Sequence, residues 1–165
     1  MAATPQREIL RAGLRAPDFT LERMGNGTVR LKELHSGGPI LLVFFKAGCP
    51  VCQMTLPYVE RIHRNRTPGS LTIYGVSQDD AETTREFTAQ FGIGFPMLLD
   101  TEESGYPASN AYGLSHVPSL FLVERDGTIA WSGEGFVKRE FVGMAATAGV
   151  NLFSADENVP EWKAG

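Results

Sequence analysis

The 165-residue chain carries only two cysteines and three histidines. Two cysteines are too few to staple a secreted disulfide scaffold, so a disulfide here is expected to serve chemistry. His35, His63 and His116 are scattered without finger spacing, and a zinc site needs four ligands, so no metal and no cofactor are expected. The net charge of -4 comes with no Lys/Arg cluster, which excludes the basic footprint of a nucleic-acid or anionic-membrane binder. The longest apolar run, Ile40 to Phe45, is far too short to cross a bilayer. The opening stretch MAATPQREILRAGLRAPDF lacks the apolar region of a secretory signal. A cytoplasmic protein is therefore expected, or a periplasmic one whose signal was removed. No repeat or low-complexity segment interrupts the chain.

What remains is an ordinary soluble composition, 42% hydrophobic and 21% charged, at a length that suits one domain. Residues 1–15 are polar and read as an arm, 16–150 as the folded domain, and 151–165 as a polar tail expected to be mobile. Asp18–Glu22 and Thr28–Leu31 flank Met24-Gly25-Asn26-Gly27, a hairpin pattern. A buried strand at 40–45 leads through Gly48 into a helix containing Pro57, which should kink it. Residues 71–77 alternate as a strand, and Asp79-Asp80 offer capping carboxylates for a helix over 81–91. Met97–Leu99 is a short apolar piece. Asp100, Glu102 and Glu103 look like a solvated helix start, before a helical piece at 107–112. A strand over 119–124, an Asp126-Gly127 turn, a strand over 128–132 and a helix over 138–148 close the chain. Strand–helix–strand demands a parallel pair and Asp-Gly an antiparallel one, so an α/β fold with a mixed sheet between helices follows.

The stretch ILLVFFKAGCPVCQMTLP places both cysteines where a central strand passes into a helix. Cys49 falls at the helix N-cap, where unpaired amides and the positive dipole end favour thiolate over thiol. Lys46 is close in sequence and would add positive potential if its side chain turned that way. Pro50 suits the first helical turn, and Val51 offers an apolar rim for a docking partner. Cys52 lies less than one turn on, within reach of a mixed disulfide on Cys49. These are the parts of thiol–disulfide exchange.

APDFTLERMGNGTVRLKEL, ILLVFFKAGCPVCQMTLP and VPSLFLVERDGTIAWSGEG, in that order, resemble the thioredoxin superfamily. The resemblance is nearest to redoxin or TlpA-like thiol–disulfide oxidoreductases, relatives of the AhpC/TSA proteins, and covers residues 16 to 149. It implies a thioredoxin-like three-layer fold with an N-terminal hairpin and a central insertion. Cys49 matches the attacking cysteine and Cys52 the resolving one. Pro57 matches the helix-bending proline, and Pro118 the cis-proline facing the cysteines, with Val117 before it. Val117, Pro118, Pro50 and Val51 would then receive the substrate. Phe45, Lys46 and His116 would tune the cysteines, although a loop histidine facing solvent is the simpler reading.

The departures from that pattern are specific. Gly48 stands where an aromatic is usual, Phe45 where a Trp is expected, and Val43 and Thr55 where relatives carry buried acids. No acid near Cys52 in sequence is left to take its proton. The expected partners are proteins bearing dithiols or disulfides, met by a monomer. Two other functions compete. One is a thiol peroxidase with Cys49 peroxidatic and Cys52 resolving, which the missing P-x-x-x-T-x-x-C pattern disfavours. The other is a non-catalytic module that holds a metal or a client.

Overall fold

The computed structural model describes residues 8–25 and 27–165. The hairpin expected near the start is β1 (Thr20–Arg23) against β2 (Thr28–Arg30), with Leu21 opposite Val29. Its turn uses Gly25 and Gly27 at positive φ, and Asn26 lies outside the described residues. After α1 (Leu31–His35) come β3 (Ile40–Phe45), α2 (Pro50–Asn65), β4 (Thr72–Ser77) and α3 (Ala81–Phe91). Next are β5 (Met97–Leu99), α4 (Pro107–Ala111), β6 (Ser119–Val123) and β7 (Ile129–Glu134). The chain ends with β8 (Phe136–Val137), α5 (Lys138–Thr147) and β9 (Trp162–Lys163).

Among the described residues, seven strands form one mixed sheet in the order β2-β1-β5-β4-β3-β6-β7. β3 runs parallel to β4 and antiparallel to β6, with Leu42 facing Tyr74 on one side and Phe121 on the other. All six of its residues are buried, as an inner strand with helices over both faces requires. Alternate residues divide between the two layers. Leu41, Val43 and Phe45 pack with Leu56, Val59 and Ile62 of α2, Phe87 of α3 and Phe141 of α5. Ile40, Leu42 and Phe44 pack with Leu31, Ala108 and Tyr112. This is the thioredoxin-like α/β fold. No helix among the described residues is long and apolar enough to cross a membrane.

At four places the structure adds to or overturns the local reading. Met97–Leu99 is a strand parallel to β4, with Gly75 opposite Met97. Asp100 is not solvated; it is wholly buried. Its carboxylate accepts from the backbone N–H groups of Ala108 and Ser109, at 3.0 and 2.7 Å, and from the Ser109 hydroxyl at 2.6 Å. It thus satisfies the orphan donors that open α4. The described part of the arm is tied down, with Gly13 donating to the Ile129 carbonyl at 2.8 Å and Arg15 bridged to Thr128. The tail is also held. Leu152 and Val159 are buried, Phe153 stands edge-on to Tyr58, and Arg61 binds the Leu152 carbonyl and Glu157. Trp162–Lys163 then pairs antiparallel with β8.

Candidate active site

Strand β3 ends on Phe45, wholly buried with its ring centroid 5.0 Å from Phe87. Lys46-Ala47-Gly48 then turns the chain toward α2, the Cys49 N–H donating to the Lys46 carbonyl at 3.2 Å. Two side chains clamp this turn at Ala47. Its N–H donates to Asp79 Oδ2 at 2.7 Å, and its carbonyl accepts from Gln53 Nε2 at 2.8 Å.

Cys49 is the N-cap of α2 in extended geometry, and Pro50 follows at the first helical position. The Cys52 N–H donates to the Cys49 sulfur at 3.3 Å, as an N-cap oxygen would accept in a serine-capped helix. Pro57 lies inside the helix, which runs through it to Asn65. It leaves the Gln53 carbonyl without its helical donor.

Both thiols are free, but their surroundings are opposite. Cys49 is half-buried and its thiol faces the Val117 carbonyl at 3.6 Å. Cys52 is wholly buried. Burial is the chief reason its thiol is pushed far above the ordinary value, and its contact with Cys49 adds to this. The backbone of Lys46 pulls the other way, while the negative charges of Cys49 and Asp79 push further up.

The Val117–Pro118 bond is cis, and the Val117 carbonyl lies beside the Cys49 sulfur. Pro118 offers its carbonyl to the Gly135 N–H at 2.8 Å, and Ser119 Oγ donates to the His116 carbonyl at 2.9 Å. His116 itself turns to Glu134, 3.3 Å away, and to Ser115 Oγ. Lys46 is exposed, and its ammonium lies 6.0 Å from the Tyr106 ring centroid. A cavity of about 160 Å³ opens beside Cys49's partner loop, lined by Lys46, Gln78, Leu114, Ser115, His116 and Val117. Pro50 is exposed and Val51 half-buried at the start of α2, and neither lines this cavity.

Two participants escape a reading of the sequence. Asp79 looks like a second capping carboxylate, yet Asp80 alone caps α3, accepting from Thr83 at 2.8 Å. The other is the last strand, which brings Gly165 against the Val117 carbonyl and the His116 ring. Neither leaves a local signal, because each partner is distant in sequence.

Among curated proteins, the chain is similar to the thiol-disulfide oxidoreductase ResA of Halalkalibacterium halodurans. They share 28% identity over 137 residues, 82% of this chain and 76% of that one. Its fold is similar to the thioredoxin domain of a thiol-disulfide oxidoreductase from Bacteroides vulgatus. There the TM-score is 0.73 at 22% identity, over 83% of this chain and 96% of that one. It is also similar in fold to the peroxidoxin BcpB of Mycobacterium tuberculosis, with TM-score 0.69 at 18% identity over 85% and 97% of the two chains. The fold alone is thus shared by a protein named as an oxidoreductase and one named as a peroxidoxin. The AhpC/TSA family model matches residues 12–132, spanning the hairpin, both cysteines and the cis-proline loop, and the chain belongs to the AhpC/TSA family.

Proposed function

We propose that this thiol–disulfide oxidoreductase exchanges disulfides with partner proteins, Cys49 attacking and Cys52 resolving. One observation carries the assignment: the reachable sulfur sits on a helix N-terminus facing the Val117 carbonyl, while the other is sealed beneath it. In the reducing direction the Cys49 thiolate attacks a client disulfide. A Cys49–client bond forms, and the second client sulfur leaves as a thiolate that takes up a proton. Cys52 then attacks the Cys49 sulfur, closing the Cys49–Cys52 disulfide and releasing the reduced client.

Once Cys49 is bonded to a client it carries no S–H and no longer donates to the Val117 carbonyl, so a client backbone N–H can take its place if Gly165 yields. Pro118 has no N–H to compete, which suits strand-like docking beside it. Pro50 and Val51 supply the opposite rim. Phe45 acts from below as packing. Lys46 and His116 border the small cavity, and Lys46 lends it positive charge. The same contacts serve oxidation or reduction, and known dithiols of this kind span about -270 to about -120 mV. Equilibration with a glutathione buffer, read by thiol mass spectrometry, gives the potential and the direction. The reading carries a monomer without a bound cofactor, working in the cytoplasm or, behind a cleaved signal, in the periplasm.

The test of roles is covalent trapping. Cys52→Ser should accumulate mixed disulfides with clients, and Cys49→Ser should not. Equal trapping by both would reverse the assignment. Family membership keeps a thiol peroxidase as the second reading. Peroxide consumption faster than exchange with a protein disulfide would establish it instead.

A further inference from the structure

Resolution makes a demand that the sulfurs alone do not meet. Cys52 must shed a proton before it can attack, yet it is wholly buried and holds that proton tightly. A base has to be within reach of the spot beneath Cys49.

Strand β4 leads into a carboxylate at this turn. Its hydrogen bonding continues past its end, the Gln78 N–H donating to the Phe45 carbonyl at 3.0 Å, so the next residue lands under the turn that carries Cys49. That residue is Asp79. Its own N–H donates to Ser77 Oγ at 3.2 Å, and Ser77 Oγ is bonded to Thr84 Oγ1 at 2.7 Å, which fixes where the side chain emerges. Oδ2 takes the Ala47 N–H. Oδ1 has no hydrogen-bond partner among the described residues and remains able to accept. Neighbouring amides of one turn thus divide their attention, the Lys46 backbone facing the Cys52 sulfur and the Ala47 N–H facing the carboxylate.

We infer that Asp79 is the proton acceptor for Cys52 during resolution, held in place by the Ala47 amide. The inference rests on the exchange mechanism proposed above. In the step, the Cys52 S–H bond breaks and its proton passes to the Asp79 carboxylate. The freed electron pair forms the bond to the Cys49 sulfur. The Cys49–client bond breaks, its pair leaving on the client sulfur, and the proton on Asp79 goes to that sulfur or to solvent. The client is reduced, the cysteine pair oxidised, and no further reagent is needed.

Asp79 also carries a negative charge that opposes a thiolate on Cys52, and this makes the test decisive. Were the carboxylate only a bystander, removing its charge would ease ionisation and speed resolution. As an acceptor, its loss must slow resolution. A positioned base contributes about 10² to 10⁴ in rate.

The probe is dithiobis(nitrobenzoate), an aromatic disulfide that releases one coloured thiolate on attack by Cys49 and a second on resolution by Cys52. In Asp79→Asn, whose amide oxygen still accepts from Ala47, the second release should slow by about 100-fold at neutral pH. Its rate should then climb about tenfold per pH unit, as hydroxide takes over. The wild-type second phase should stay nearly flat between about pH 6 and 8, because the bound acceptor rather than hydroxide takes the proton. A second phase in Asp79→Asn that is unchanged or faster overturns the inference. So does a wild-type second phase rising tenfold per unit, which decides the matter even if the variant fails to fold. A wild-type protein that never releases the second thiolate defeats the exchange mechanism itself rather than the role of Asp79.

Discussion

Cys49 and Cys52 are three residues apart on one helical turn, yet they belong to different phases of the molecule. Cys49 is half-buried, caps the helix and faces the cis-proline loop. Cys52 is part of the core that also holds Leu56 and Val59. One turn of helix is enough to carry a side chain from surface to interior. The same element therefore makes one sulfur available to bulky partners and restricts the other to a single target, its neighbour. In the proposed exchange, the order of reaction follows from access before any difference in nucleophilicity is considered.

The largest expected effect breaks the pair outright. Cys49→Ser should drop reduction of a protein disulfide to background, because Cys52 has no path to a client. Measurable turnover would mean that the helix opens far more readily than its packing suggests. Next in size is a difference in labelling. Iodoacetamide on the folded, reduced protein should modify Cys49 at least about 100-fold faster than Cys52, which becomes reactive only through local opening. Peptide mapping of the alkylated sites reads the ratio, and comparable rates would remove the contrast.

A smaller effect concerns stability and alkali. In the reduced, folded chain Cys52 keeps its proton at pH values where the unfolded chain has lost it, burial being the main cause. The folded state then binds more protons than the unfolded one, so stability should fall as pH rises. The loss from this group should begin near about pH 8.5 and approach about 1.4 kcal/mol per pH unit. Urea titrations of the reduced protein between pH 8 and 10 would show it. Cys52→Ala and the oxidised protein should both lack this component. Above about pH 10 Tyr112 adds a slope of the same sign, since burial raises its phenol too. The smallest effect is at Thr55, three residues beyond Cys52 and wholly buried, whose hydroxyl has no partner among the described residues. Thr55→Val should leave stability unchanged or raise it by up to about 1 kcal/mol. A clear loss in chemical denaturation would reveal a hydrogen bond that the geometry does not account for.

The main elements were legible because their signals are local. Ile40 to Phe45 is an unbroken apolar run, Cys49-Pro50 opens a helix, and Asp126-Gly127 turns one strand into the next. Site features that depend on distant pairing were not. Asp79 and Asp80 are chemically identical neighbours, and only the arrival of Ala47, 32 positions away, separates a turn clamp from a helix cap. Asp100 read as solvated because the donors that bury it come eight and nine residues later. Strand β9 has two exposed residues and no alternation to reveal it. Its existence depends on β8, a strand of equal brevity.

That closing strand has a practical bearing on how the protein is handled. Gly165 rests on the carbonyl that Cys49 addresses. A side chain at this position, or any appendage carried beyond it, would begin beside that carbonyl instead of at a remote pole. Exchange rates measured with such an appendage in place would report on the appendage as much as on the sulfurs.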